Sequence, residues 1–227
     1  NGLDGRLWNP AKDPALPAPY TAANLTGKAV CKAALQMELG LHGDAQVPLA
    51  AMVTRLDPQK GLDLLLEAWP LLLERNLQIV ILGTGHPDYE QRLRELAALA
   101  PRQVAVATTF DDALARRIYA ASDLFLMPSR YEPCGLGQLI ALRYGSVPLV
   151  HATGGLADTI RDPKEDSARA NGFIFREFSV PALLATLDRL LGLRSTDPVT
   201  WQALVKRGMQ QDFSWQRSAD DYLELYR

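Results

Sequence analysis

Short, mainly apolar runs, at 47–53, 77–82, 104–107, 124–127, 147–150 and 173–175, alternate along this chain with stretches of helical periodicity. Each run is apolar at neighbouring positions, so both of its faces must be covered. A strand buried on both sides belongs to a parallel sheet, whose crossover helices supply the cover. Helical patterns fill the gaps, at 28–39, 61–74, 89–98, 112–121, 136–144 and 157–160. In 61–74, Leu62, Leu65, Leu66, Trp69 and Leu72 recur on one helical face, and Pro70 is expected to kink or interrupt it. Further helices are expected at 181–191, 199–209 and 215–227. The opening 25 residues, with Pro10, Pro14, Pro17 and Pro19, show no periodicity and read as an extended connector. The pattern predicts one Rossmann-like, doubly wound α/β domain.

Charge and cysteine usage remove several classes of function. With 24 basic against 26 acidic residues, the net charge is −2. No basic stripe suits a nucleic acid, so any phosphate is bound by a few placed cations and backbone amides. Cys31 and Cys134 make no disulfide framework. No run of about 18 apolar residues spans a membrane, and no charged-then-apolar opening reads as a secretory signal. A cytoplasmic protein is expected. An opening at Asn1 rather than Met reads as a fragment or a processed chain. His42, His86 and His151 are widely spaced, and no metal site is expected.

In an open parallel sheet, ligands bind beyond the carboxyl ends of the strands. The loops at those ends carry the unusual residues. After the first strand, Arg55 and Lys60 flank a turn; both can reach one anion, a fork and a point charge suited to a diphosphate. The plainer reading is two solvated surface cations. Gly83-Thr84-Gly85-His86-Pro87 lacks the third glycine of a dinucleotide fingerprint and reads as a tight turn. Phe110, at the end of the third strand, is either core or a face on which a base stacks; Asp111 or Asp112 caps the helix that follows.

The densest stretch is Ser129-Arg130-Tyr131-Glu132-Pro133-Cys134-Gly135-Leu136-Gly137, where glycines open a helix N-terminus to an anion. Glu132 beside such a socket either caps the helix or serves sugar hydroxyls and a developing cation. Cys134 has no evident base and is taken to contribute its backbone amide. Thr153-Gly154-Gly155-Leu156-Ala157-Asp158 opens a second helix in the same way.

These strings resemble the bacterial glycogen and plant starch synthases. The resemblance is carried by Glu132-Pro133-Cys134-Gly135-Leu136 and Thr153-Gly154-Gly155-Leu156-Ala157-Asp158, with Asn1-Gly2-Leu3-Asp4, Trp8-Asn9-Pro10, Val53-Thr54-Arg55-Leu56, Gln59-Lys60-Gly61 and Asp212-Phe213-Ser214-Trp215 in order along the chain. It implies the C-terminal, donor-binding half of a GT-B glycosyltransferase fold. Such enzymes transfer glucose from ADP-glucose to an α-1,4-glucan with retention and without a metal or other cofactor. By that resemblance Arg55 and Lys60 neutralise the leaving diphosphate, and Phe110 stacks on adenine. Cys134, Gly135, Leu136, Gly154 and Gly155 hold phosphate and sugar, while Glu132 lies against the glucose. A second Glu, found eight residues after the first in broader retaining families, is Ile140 here.

The implied organisation is a connector at 1–25, a nucleotide-sugar-binding domain at 26–211 and a terminal helix at 212–227. That helix would cross back to an amino-terminal domain, the one carrying the acceptor contacts, which this sequence does not include. The fragment alone is then expected to bind ADP without catalysing transfer. A stand-alone nucleotide-binding module, or another GT-B transferase or epimerase, are the alternatives. Trp215, Ala219, Tyr222 and Tyr226 form a stripe on the terminal helix. If that helix does cross back, the stripe has lost part of its partner, and the segment is expected to be disordered, folded back on its own domain or buried in a homotypic contact; the alternative is that the stripe packs on 199–209.

Overall fold

The computed structural model describes residues 2–226. Asn1, where the connector is expected to open, and Arg227, at the expected end of the last helix, lie outside the described residues.

The strands are β1 (Leu49–Val53), β2 (Gln78–Leu82), β3 (Val104–Ala107), β4 (Leu124–Met127), β5 (Val147–His151) and β6 (Phe173–Phe175). All neighbours are parallel, in the order β3-β2-β1-β4-β5-β6. Every residue of β2 and of β6 is buried, which is why these runs lack the alternation of a one-sided strand. The helices are α1 (Thr26–Glu38), α2 (Leu62–Leu73), α3 (Pro87–Leu99), α4 (Asp112–Ala121), α5 (Gly137–Arg143), α6 (Gly154–Thr159), α7 (Val180–Thr196), α8 (Pro198–Gln210) and α9 (Trp215–Leu225). The connections run outward from β1 to β3, then back through β4 to β6, and the right-handed crossovers general to parallel sheets put helices on both faces in such an order. α2 packs against α7, and α1, α4, α5 and α8 follow one another in contact. None of the described helices is long and apolar enough to cross a membrane.

Pro70 does not interrupt α2, which runs unbroken from Leu62 to Leu73. The ring sits at an exposed position, and Leu62, Leu64, Leu65, Leu66, Ala68, Trp69 and Leu72 are buried around it. Burying that many large side chains outweighs one missing backbone hydrogen bond. α6 begins three residues before the expected 157, because both glycines of Gly154-Gly155 enter its first turn. Asp111, not Asp112, caps α4, accepting from the Leu114 amide at 2.8 Å.

The amino ends of the strands are closed by a buried polar cluster. Lys28 Nζ donates to the carbonyls of Ala120, Ser122 and Tyr144 at 2.8, 2.9 and 3.1 Å. These lie at the C-terminal ends of α4 and α5, where a cation suits the helix dipole. Lys32 Nζ donates to Val47 O at 2.6 Å and to Asp123 Oδ2 at 2.7 Å. These bonds tie α1 to the amino end of the sheet, and the diverging loops of the switch point lie at the opposite, carboxyl end.

Candidate nucleotide-sugar site

The strand order reverses between β1 and β4, so the loops leaving those two strands diverge and frame a crevice. The β1 loop passes through a short 3-10 turn, Pro58–Lys60, whose entry is capped by Asp57 accepting from the Gln59 amide at 2.8 Å. The turn ends at Gly61, with φ +73°, where a Cβ would stand 1.8 Å from the Pro128 carbonyl oxygen. Only glycine lets the two loops touch there. Backbone ties follow: the Arg130 amide donates to Gln59 O at 2.9 Å, and Gln59 Nε2 donates to Tyr131 O at 2.9 Å.

That contact brings Lys60 to Glu132. Lys60 Nζ donates to Glu132 Oε2 at 2.6 Å, and Ser129 Oγ donates to the same oxygen at 3.2 Å. Glu132 is only 7% exposed, and a buried carboxylate needs such partners. It caps no helix, since α5 begins without a side-chain cap. Ser129 is buried too, and its carbonyl accepts from Nδ1 of His151, at 2.8 Å, which fixes the proton on that nitrogen. Arg130 stands over the Phe178 ring at 4.1 Å and pairs with Asp63 on α2.

Gly154 and Gly155 join the same cluster. A Cβ on Gly154 would lie 2.3 Å from Glu132 O, and one on Gly155 2.2 Å from Cys134 O. The Gly155 amide donates to Glu132 O at 3.0 Å, so it secures the loop and is not open to a ligand. Gly135 and Leu136 lie on the turn into α5, and among the described residues no acceptor meets their amides or that of Gly137. Gln138, fully buried, donates to Cys134 O, Gly135 O and Thr159 Oγ1 at 3.0, 3.1 and 3.2 Å, tying this turn to α6.

Arg55 and Phe110 stand in a neighbouring hollow at the ends of β1, β2 and β3. It is a cavity of about 300 Å³ lined by Trp8, Thr54, Arg55, Gly83, Phe110 and Asp111, among others. Phe110 is 90% exposed, which excludes the core reading and leaves its face open. Arg55 is exposed and, among the described residues, meets no acceptor. The floor is Tyr119, whose hydroxyl is held neutral by burial. The glycine pair behind it is no tight turn: Gly83 and Gly85 allow the backbone after β2 to run on against Thr54 and Leu56, with the Leu56 amide donating to Thr84 O at 2.8 Å.

Among the described residues, no three His, Cys, Asp or Glu side chains are grouped to hold an ion. Sequence reasoning missed Ser129, Gln59, Gln138 and Trp8. Ser129, Gln59 and Trp8 all stand inside motifs named from the sequence, but nothing in their spacing marked which atoms they meet. Trp8 lay in a segment without periodicity, and only the fold brings it against Tyr119 and Tyr144.

A cation–carboxylate pair at the switch point of a 3-2-1-4-5-6 sheet, with an exposed aromatic ring and open backbone amides nearby, makes a polar crevice where open α/β sheets bind their ligands. Residues 43–200 match the family described as "Glycosyl transferases group 1". The chain belongs to that family. It is 61% identical to a glycogen synthase of Syntrophotalea carbinolica over 227 residues, all of this chain and 47% of that relative. A glycogen synthase of Anaeromyxobacter dehalogenans is 52% identical over the same span, again 47% of its length. The catalytic domain of starch synthase IV from Arabidopsis thaliana, solved bound to ADP and acarbose, superposes with a TM-score of 0.94 at 40% identity, covering all of this chain and 47% of that one. The chain therefore spans about half the length of the relatives it matches, and its fold is one half of a GT-B glycosyltransferase.

Proposed function

We propose that this chain is the donor-binding half of a retaining glucosyltransferase that takes glucose from ADP-glucose and adds it to an α-1,4-glucan, a glycogen or starch synthase. The observation that carries the reading is the Lys60–Glu132 pair at the β1/β4 crossing, in a chain 61% identical throughout to a glycogen synthase. Arg55 and Lys60 neutralise the diphosphate that leaves when the glucose–phosphate bond breaks. The amides of Gly135 and Leu136, with the Cys134 turn behind them, receive phosphate oxygens. Gly154 and Gly155 let α6 close on the Glu132–Cys134 loop and so hold Glu132 in place for the sugar; Glu132 accepts from a ring hydroxyl and stabilises positive charge at the reacting carbon. Phe110 offers its open face to adenine above the cavity that Arg55 lines. The reading calls for no metal and no cofactor. The glucan acceptor meets the part of the protein carrying the acceptor contacts, across the crevice.

ADP bound to the starch synthase neighbour supports adenine over uracil at this position. Calorimetric titration of the 227-residue chain with ADP and with UDP tests it. ADP is expected to bind the more tightly; equal affinities, or a preference for UDP, would overturn the assignment of the donor.

A further inference from the structure

Glu132 is held by one oxygen. Oε2 takes both donors, Lys60 Nζ at 2.6 Å and Ser129 Oγ at 3.2 Å, while among the described residues no donor meets Oε1. Oε1 is not sealed in the core, so it keeps some contact with solvent. The carboxylate thus presents a charged, unsatisfied oxygen next to the cation assigned to the diphosphate.

An anionic oxygen that binds Lys60 stands about 2.8 Å from Nζ, and so within about 5 Å of Oε2. What it meets there depends on what it carries. A bare nucleoside diphosphate ends in a phosphate whose second ionisation falls near pH 6, so at pH 7.5 it brings one charge more than a diphosphate esterified to a sugar. The sugar ester lacks that charge and adds hydroxyl groups that can donate to Oε1. The same carboxylate repels the first ligand and accepts hydrogen bonds from the second.

We infer that Glu132 sets this site's preference for the nucleotide sugar over the nucleoside diphosphate. The inference rests on the nucleotide-sugar reading above and adds a function that reading does not require. When the bond between the anomeric carbon and the β-phosphate oxygen breaks, the carbon bonds to the acceptor hydroxyl's oxygen, that hydroxyl's proton passes to solvent, and the electron pair stays on the phosphate oxygen. The extra charge appears beside Glu132, and the product is pushed out of the site that held the donor.

The test is the dissociation constants of ADP and of ADP-glucose, measured at pH 7.5 on the wild-type chain, E132Q and E132D, with thermal unfolding run on each. Gln keeps the shape and can still accept from Lys60 and Ser129, so E132Q removes little but charge. It is expected to bind ADP about fivefold or more tightly than wild type, the effect of one unit charge at about 5 Å in a partly wet site. Its affinity for ADP-glucose should not rise. E132D keeps the charge and should keep the wild-type ratio of the two constants. ADP affinity that is unchanged or lower in E132Q, or both constants moving together, would overturn the inference and leave the nucleotide-sugar reading standing. Binding of neither ligand by the wild-type chain would overturn that reading itself.

Discussion

At the scale of single residues, the site depends on contacts for which glycine is the only solution. Gly61 combines a left-handed backbone with an approach that puts any Cβ 1.8 Å from Pro128 O. Replacing it by alanine must push the β1 and β4 loops apart, and with them Lys60 from Glu132. We expect G61A to lower stability by about 2 kcal/mol or more and to weaken ADP binding, read by thermal melting and calorimetry. Unaltered ADP affinity in a folded G61A would show that the loop contact does not position Lys60. Gly61 was legible in the sequence only as the last letter of a Gln59-Lys60-Gly61 string. Its partner, 67 positions downstream at Pro128, is a fact of the fold. Glu132 shows the same limit: its position in a specific string pointed to a sugar, while its pairing with Lys60 and Ser129 needed the coordinates.

At the scale of elements, what the sequence conveyed well were the strands and the capped helices. β3, β4, β6 and α4 fall where the apolar runs and Asp111 place them, because both signals are local. The continuity of α2 through Pro70 and the early start of α6 were not legible because the deciding terms, core burial around α2 and the fit of glycines against Glu132 and Cys134, are not local. A further joint that no local signal marked is Asp162. Its carboxylate accepts from the Ile174 amide in β6 at 2.9 Å and from Arg189 of α7 at 2.8 and 3.0 Å. Burial alone would raise its pKa, but the Arg189 and amide hydrogen bonds outweigh it and hold the pKa below the ordinary value. A depressed carboxylate pKa contributes stability above the unfolded value, near 3.9, that is lost as pH falls through the folded one. D162N should therefore cost about 2–3 kcal/mol at pH 7, and its deficit against wild type should shrink below about pH 4. Denaturant unfolding at both pH values checks this; a deficit that persists undiminished in acid would contradict it.

At the scale of the whole molecule, the carboxyl edge of the sheet and α9 both face outward. Trp215 is 58% exposed, Tyr222 63% and Tyr226 81%, so the α9 stripe is not packed on α8. Gly2 lies against Trp215, and the Leu3 amide donates to Phe213 O at 2.6 Å, so the opening of the chain and the approach to α9 run side by side. Retaining transfer needs an acceptor hydroxyl held against the donor carbon, and positioning of that kind supplies several kcal/mol of the barrier. In the proposed reading this chain supplies the donor side of that arrangement. The 227-residue polypeptide by itself is expected to incorporate no labelled glucose from ADP-glucose into glycogen above an E132A control. Incorporation above that control would refute the division of labour. The central claim, that a nucleotide diphosphate is held where β1 and β4 part, is tested most directly by titrating ADP into the wild-type chain and into K60A. We predict one ADP per wild-type chain and a loss of about 1–3 kcal/mol in K60A, typical of a charge-assisted hydrogen bond; equal affinity with and without Lys60 would contradict the account.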